Sequence, residues 1–365
     1  MFAIFWLPLR ILSKNYMERK NRNHAFDLLC GVCIVRMLVL HIMTFCGHAQ
    51  DAWWQQVMAW TYYFMCFFFF KSGYFNRSVG GPTGAYLKGK TLRLLVPYLT
   101  AGLIGDAVYF SLMPFLIQRY HHPVEPLSWS HIWEEGQFYG NGPVWFLCTF
   151  YFTYVGVHFI EKVRHLRYAF FLFPAVSWWL STLGNPLWLG LDNLFMGFFC
   201  FYLGHFWHRL TVLLGRRRTF ALSVLLLGCF CMVNAWSDTY YAMSSNTFRG
   251  QLPLLVSGMS CALCGLTGLL MALEVPRVPV IDFIGRHSMV YFISHYPILY
   301  IYKFVHLSFG RSIYGRYDDV ILLIPIVFII CTWLVPYVER VPWLSGRWNN
   351  MSAPCQKTPL STLPS

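Results

Sequence analysis

The chain has 365 residues, of which 57% are hydrophobic and 12% are charged, and its formal net charge is +13. A soluble domain carries about twice that share of charged residues, so this composition excludes an ordinary soluble enzyme, a disordered protein and a small disulfide scaffold. Most of the chain is expected to lie in lipid. The excess of Lys and Arg over Asp and Glu is therefore not interpreted as a sign of nucleic-acid binding.

Ten apolar runs are candidates for membrane-spanning helices, since a hydrocarbon core about 30 Å thick takes roughly 20 helical residues. They lie near 26–46, 57–75, 92–116, 143–160, 168–183, 190–208, 219–236, 251–272, 286–305 and 319–338. The alternation typical of a membrane β-barrel is absent, so the sequence predicts an all-α, polytopic transmembrane helix bundle. The predicted transmembrane domain covers residues 24–340.

The basic residues predict the orientation of this bundle. If the N-terminus is cytoplasmic, most of the 28 Lys and Arg residues fall in cytoplasmic segments, as the positive-inside rule requires. Both termini are therefore predicted to be cytoplasmic. The N-terminal segment 1–23 is too short in apolar length to span and is expected to be an interfacial anchor, unless Met17 rather than Met1 is the start. Residues 341–365 are predicted to form a disordered tail.

Metal binding is not predicted. Eleven of the twelve cysteines lie in the apolar runs, and the CxxC pairs Cys30/Cys33 and Cys261/Cys264 have no polar ligands beside them. The His- and Glu-containing loop at 121–135 matches no ligand spacing and is expected to be a solvated rim.

Ionisable groups at membrane depth are costly, which makes them functional candidates. The first apolar run has Asp27 at its inner end, Arg36 in the middle and His41 toward the outer end. On a helix, Asp27 and His41 share a face but lie about 21 Å apart along the axis, and Arg36 points about 140° away from His41. His41 is either a polar residue near the interface or a functional group.

The ninth run repeats this pattern with Ser288, Tyr291 and His295, whose spacing places them on one helix face. His295 is expected near mid-membrane. Pro297 should kink the helix and free the carbonyl of Ile293, which opens space around a site. Such a stripe can also be a helix–helix contact without catalytic meaning.

Lys90 and Arg93 lie at the cytoplasmic start of the third run. They are three residues apart and therefore adjacent on a helix face. An arginine fork can hold a phosphate through two hydrogen bonds, so the pair is a candidate phosphate site. The alternative is that these cations only follow the positive-inside rule.

Five segments, taken in order from residue 24 to 338, resemble the acyltransferase-3 family of ten-helix membrane O-acyltransferases. They are Phe26–Gly31 leading to His41, Phe69–Tyr74, Lys90–Arg93 with Pro97 and Tyr98, Gly142–Leu147, and Gly285–Ser288 with Tyr291, His295 and Pro297.

The sequence departs from the family pattern at three positions. Cys30 stands where the pattern has an arginine eleven residues before the histidine, and Arg36 is the candidate to replace that cation. Lys90 stands for the first arginine of R-x-x-R, and it keeps the charge but loses the fork. Lys71 stands at an apolar position, where it could pair with Asp27 or Asp106 or line the donor path.

The resemblance implies transfer of a short acyl group, acetyl first of all, from cytoplasmic acyl-CoA to a hydroxyl of a cell-surface or lipid-linked carbohydrate. It implies a bacterial cytoplasmic membrane location and His41 as the general base. The candidates for stabilising the oxyanion are Arg36, Ser288, Tyr291 and His295. The candidates for binding CoA are Lys90, Arg93 and Lys71.

Two other interpretations of the sequence stay open. A flippase, transporter or polymerase of lipid-linked glycans would also be a basic, aromatic, many-helix protein, but it would not depend on CoA. A purely structural protein would tolerate single changes at His41 or Arg93.

Overall fold

A computed structural model describes residues 23–76, 83–120, 129–163 and 165–348, with side chains undescribed at 114–120 and 129. The predicted interfacial anchor, the choice between Met1 and Met17, and residues 349–365 lie outside this part of the chain.

The described chain is almost entirely helical. Its α-helices are α1 His24–Phe45, α2 Ala52–Trp60, α3 Cys66–Tyr74, α4 Thr83–Lys90, α5 Val96–Tyr120, α6 Trp129–Glu135, α7 Trp145–Ile160, α8 Phe173–Thr182, α9 Leu194–Trp236, α10 Leu252–Leu273, α11 Pro279–Arg286, α12 Ser288–Ser308, α13 Tyr317–Val338 and α14 Pro342–Ser345. A π-helix covers Thr91–Leu95, and 3₁₀ segments cover Tyr139–Val144, Leu166–Leu172, Trp188–Asn193 and Met243–Ser245. The hairpin β1 Tyr240–Ala242 and β2 Thr247–Arg249 pairs antiparallel.

The prediction of an all-α membrane bundle is confirmed. Within the described residues, six helical stretches are long and apolar enough to cross a membrane: His24–Phe45, Thr83–Met113, Ser130–Ile160, Trp188–Trp236, Leu252–Leu273 and Tyr317–Val338. The longest contains a turn at Gly215, whose φ of 69° breaks the helix, so it accounts for two predicted runs. Helix α12 is 21 residues long and carries the polar stripe of the ninth run.

The predicted run 57–75 is not one continuous helix. Helix α2 ends at Trp60 and α3 begins at Cys66, with a short irregular segment between them. Arg36 of α1 holds the start of this break, donating from Nε to the Thr61 hydroxyl at 3.0 Å and from Nη2 to the Met58 sulfur at 2.8 Å. Irregular backbone at membrane depth is tolerated when it is buried against protein in this way.

Helix α1 lies at the centre of the bundle and is buried along most of its length. At its inner end it packs closely against α11, because Gly31 faces the carbonyl of Ile281 and Gly285 faces the carbonyl of Asp27. A Cβ atom at either glycine would collide with the opposing backbone. This close contact brings α11 and the start of α12 beside Asp27.

Residues 341–348, the first part of the predicted tail, are folded. They form α14 and a short extension that packs against α5 and the π-helix, with the Thr100 hydroxyl donating to the carbonyl of Trp343 at 2.6 Å. We name residues 341–348 the C-terminal strap.

Candidate active site

His41 and His295 meet inside the bundle. Their ring centroids are 5.1 Å apart, and the Tyr296 ring lies edge-on to both of them. His41 is half-buried, whereas His295 is fully buried. The two histidines that the sequence singled out separately, 254 positions apart, therefore form one imidazole pair.

The tautomer of His295 follows from its hydrogen bond. Its Nδ1 lies 3.0 Å from the carbonyl oxygen of Tyr291, which can only accept, so Nδ1 carries the proton of the neutral ring. Nε2 then carries a lone pair. It is buried, and it has no hydrogen-bond partner within the described part of the chain. A buried acceptor without a partner is costly, and it is available to a substrate hydroxyl or a water.

The carbonyl of Ile293, predicted to be freed by Pro297, has a hydrogen-bond partner. The carbonyl of Ile293, which Pro297 cannot bond, accepts from the side-chain amide of Asn141 at 2.9 Å. The same amide donates to the carbonyl of Ala101 on α5 at 3.2 Å. Asn141 is fully buried and ties α12 to α5 one turn from the imidazole pair.

The polar stripe divides between two roles. The Tyr291 hydroxyl is 2.6 Å from the hydroxyl of Thr332 on α13, so this side chain connects two helices. Ser288, one turn earlier, lines a cavity at the inner end of the bundle.

The hydrogen bonds of Arg36 lie away from the imidazole pair, although its charge acts on His41. Besides Thr61 and Met58, its guanidinium carbon lies 3.7 Å from the centroid of the Phe64 ring. This placement follows the 140° offset from His41 seen on the helical wheel. Its contacts therefore lie with the α2–α3 break rather than with Cys30 or His295.

A cavity of about 840 Å³ occupies the inner end of the bundle. Five cations, His287 and two carboxylates line one part of the cavity, which we call its mouth. Apolar side chains line the rest. The charged residues are Lys71, Lys90, Arg93, Arg286, Arg347, Asp27 and Glu339, and the apolar ones include Ile34, Phe68, Phe146 and Phe292. Four of the five cations, Lys90, Arg93, Arg286 and Arg347, lie in segments predicted to be cytoplasmic, whereas Lys71 lies in α3.

The apolar end of the cavity approaches the imidazole pair. The Phe292 ring lies 6.5 Å from the His295 ring, centroid to centroid. Ile34 lies two turns before His41 on nearly the same face of α1, which is about 10 Å along the helix axis. The apolar lining of the cavity therefore includes neighbours of both histidines, although neither histidine is among its lining residues.

Lys71 lies next to the residue that replaces the family arginine. Its ammonium is 3.0 Å from the sulfur of Cys30, and it lines the cavity together with Asp27. The other predicted partner, Asp106, accepts from the backbone N–H of Gly140 at 2.8 Å. The cation in contact with Cys30 is therefore Lys71 of α3, whereas Arg36 bonds Thr61 and Met58.

Lys90 and Arg93 line the same cavity at the junction of α4 and the π-helix. The Lys90 ammonium is 3.3 Å from the centroid of the Tyr154 ring, a cation–π contact that directs it. Arg93 is exposed. π-Helical segments often occur at functional sites, and this one places both cations on the cavity wall.

Glu339 anchors the mouth of the cavity. Its carboxylate is 2.6 Å from His287 Nδ1 and 2.6 Å from Arg347 Nη1. Burial raises the pKa of Glu339, but the hydrogen bond from His287 and the charges of His287 and Arg347 outweigh it, so the pKa lies below its usual value. The carboxylate is ionised at neutral pH and fixes both partners.

Aromatic rings continue from the imidazole pair toward the outer side. Tyr296 contacts Phe45 and Tyr300, with ring centroids 5.3 and 5.9 Å apart. Tyr300 contacts Tyr109, whose ring in turn stacks on Tyr139. The histidines therefore lie between a cationic cavity on one side and a row of tyrosines on the other.

The family model described as an acyltransferase domain, acyltransferase-3, matches residues 23–337. The chain belongs to the acyltransferase-3 family. It is thus an integral membrane protein with acyltransferase activity. Searches of curated proteins and of solved structures gave no match.

The sequence of this acyltransferase did not indicate several residues of the site. One of them is Asn141, which directly precedes the Gly142–Leu147 segment. The sequence indicated only that the freed carbonyl of Ile293 needs a hydrogen-bond donor, not which residue supplies it. Glu339 and Arg347 carried only the general signal of charge beside a membrane span. Their roles depend on contacts between segments distant in sequence.

Proposed function

We propose that this acyltransferase moves a short acyl group, acetyl first of all, from cytoplasmic acyl-CoA to a hydroxyl of a cell-surface or lipid-linked carbohydrate, in a bacterial cytoplasmic membrane. The observation that carries the proposal is the imidazole pair beside the apolar end of a cavity with a cationic mouth. A CoA thioester has the matching polarity, with phosphates at one end and a reactive acyl group at the other.

The reaction assigned to the pair is a direct acyl transfer. His41 takes the proton from the acceptor hydroxyl while that oxygen attacks the thioester carbonyl, and a tetrahedral oxyanion forms. The C–S bond then breaks, the new C–O ester bond remains, and the CoA sulfur takes the proton back from His41. Such general base catalysis supplies about 10² to 10⁴ in rate.

His41 rather than His295 is assigned as the base because it is half-buried and so can be reached by a substrate. His295 lies beside it with Nε2 as an acceptor, suited to orient the attacking hydroxyl. The imidazolium formed on His41 lies next to the oxyanion and stabilises it. Ser288 is the stripe hydroxyl that lines the cavity, whereas the contacts of Tyr291 and Arg36 favour structural roles.

Donor binding is assigned to the cationic mouth. Lys90 and Arg93 lie together on the cavity wall and are proposed to bind the phosphates of CoA, with Lys71 further in, beside Cys30. Arginine and lysine both bind phosphate, and desolvation inside a cavity strengthens the contact. The roughly 10 Å from Ile34 to His41 is left for the flexible pantetheine arm and the acyl group.

The acceptor is proposed to approach from the tyrosine side. Tyrosine rings offer flat apolar faces with polar tips, which suits a sugar that must pass an apolar region. Tyr296 touches both histidines and is the last ring before them.

The first experiment is binding of radiolabelled acetyl-CoA to the purified full chain in detergent. Wild type is compared with Arg93→Ala, His41→Ala and the control Arg217→Ala, an exposed cation outside the cavity. We expect saturable binding that is weakened in Arg93→Ala and retained in the other two. If folded wild type binds neither acetyl-CoA nor longer acyl-CoAs, the donor assignment is wrong and a glycan transporter becomes the better interpretation.

Acyl transfer to carbohydrate acceptors tests the base. His41→Ala should lose at least about a hundredfold in turnover while keeping donor binding, because only the proton transfer is removed. A His41→Ala protein that folds normally and keeps full transferase activity refutes the assignment.

A further inference from the structure

The C-terminal strap closes one side of the cavity mouth. It begins beyond residue 337, where the family match ends. The Trp348 indole N–H donates to the carbonyl of Leu92 in the π-helix at 2.8 Å. Gly346, with a φ of 67°, turns the strap against the carbonyl of Arg93, where a Cβ atom would not fit. The strap is therefore fixed to the helical turn that carries Lys90 and Arg93.

The end of the strap lines the donor cavity. Arg347 and Trp348 line it, together with Ser345 and Gly346. Arg347 is held by Glu339 through Nη1, and the other N–H donors of its guanidinium make no hydrogen bond to the described part of the chain. Its side chain is 42% exposed, so an anion can reach it.

The only polar group of the Trp348 indole is its N–H, which donates to the carbonyl of Leu92. The part of this side chain that lines the cavity is therefore an aromatic surface. An arginine and an aromatic ring side by side at a cationic mouth match a phosphorylated nucleoside. The arginine fits a phosphate through paired hydrogen bonds, and the ring stacks on a base.

We infer that the C-terminal strap binds the 3′-phosphoadenosine end of the acyl donor, with Arg347 on the 3′-phosphate and Trp348 against the adenine. This inference rests on the proposed function, since it takes CoA as the donor. Lys90 and Arg93 on the adjoining helical turn then remain for the pyrophosphate. The strap adds to the family domain a binding element that selects CoA over donors lacking the ribose phosphate.

The experiment compares the affinities of the full-length protein for CoA and for dephospho-CoA, which lacks only the 3′-phosphate. Wild type should bind CoA more tightly by about tenfold or more, the worth of a charge-assisted hydrogen bond. Arg347→Ala should remove this preference, and Arg347→Lys should restore part of it. Arg340→Ala, an exposed cation outside the cavity, should leave it unchanged.

Trp348 is tested with the same two ligands. Trp348→Ala should weaken CoA and dephospho-CoA alike, by roughly tenfold or more, because stacking does not depend on the phosphate. Trp348→Phe loses the bond to Leu92 but keeps a ring, and it should bind close to wild type.

The outcomes separate the inference from the proposed function. If wild type binds neither ligand, the CoA donor itself is wrong. If wild type binds CoA and the ratio of the two affinities is unchanged in Arg347→Ala, the strap is not the phosphate site, although the donor assignment stands. The ratio is measured within each variant, so partial loss of folded protein does not affect it.

Discussion

The contact between Lys71 and Cys30 predicts that the cation can be moved from one helix to the other. The Lys71 ammonium lies 3.0 Å from the Cys30 sulfur, on the wall of the donor cavity. The double variant Cys30→Arg/Lys71→Ala places an arginine on α1, as in the family pattern, and makes room for it by shortening the lysine. The double variant should keep donor binding, which Lys71→Ala alone should weaken by at least about tenfold, the worth of one charge-assisted contact.

Cys30→Arg alone should be unstable. It would put two cations about 4 Å apart, and at an effective dielectric constant near 20 their repulsion amounts to about 4 kcal/mol. Because Cys30 is 1% exposed, the larger side chain also overpacks the core. The double variant relieves both effects, so the cycle of wild type, two single variants and the double variant should give a coupling energy of several kcal/mol.

The assay is thermal unfolding in detergent, followed with a thiol-reactive dye because most of the described cysteines are buried, together with acetyl-CoA binding at a temperature where all variants are folded. The reasoning is refuted if the double variant is no more stable than Cys30→Arg, or if Lys71→Ala binds acetyl-CoA as wild type does.

Three further predictions concern the supports of the site. Asn141→Ala leaves the carbonyl of Ile293 without a donor and should lower stability by about 2–4 kcal/mol, measured as the unfolding temperature beside the exposed control Gln56→Ala; equal temperatures would contradict it. The pKa of Glu339 is lowered in the fold, so this carboxylate stabilises the fold fully above the usual pKa of a glutamate, near pH 4, and the stabilisation is lost as the pH falls through the lowered pKa. When stability is measured against pH, Glu339→Gln should lack this loss in acid. A pH dependence of stability parallel to that of wild type would rule the prediction out. Pro297→Ala gives Ile293 a helical donor that competes with Asn141; transferase turnover should fall while acetyl-CoA binding persists, and unchanged turnover would argue against a role for Pro297 at the site.

The sequence by itself determined that most of the chain lies in lipid, that the fold is all-α, and which single residues are candidates for the site. Charge content and apolar run length are local properties, so they were enough for an all-α membrane bundle. The helical wheel was enough to place Arg36 away from His41, and the missing N–H of Pro297 was enough to predict a freed carbonyl at Ile293.

The tertiary structure alone decided which candidates meet. His41 and His295 lie on helices far apart in sequence, and only the packing of α12 against α1 brings their rings together. The same holds for Lys71, which reaches Cys30 from α3 where the sequence favoured Arg36. A periodic pattern specifies which face of a helix is polar, but the partner of that face depends on how the helices cross.

The break in the predicted run 57–75 has the same origin. Its hydropathy is that of one span, and the break lies where Arg36 of another helix bonds Thr61 and Met58. The donor for Ile293 and the ionic partners of Glu339 were likewise invisible to local pattern. Buried polar groups must be satisfied, and the sequence predicts that need, whereas only the folded arrangement selects the residue that meets it.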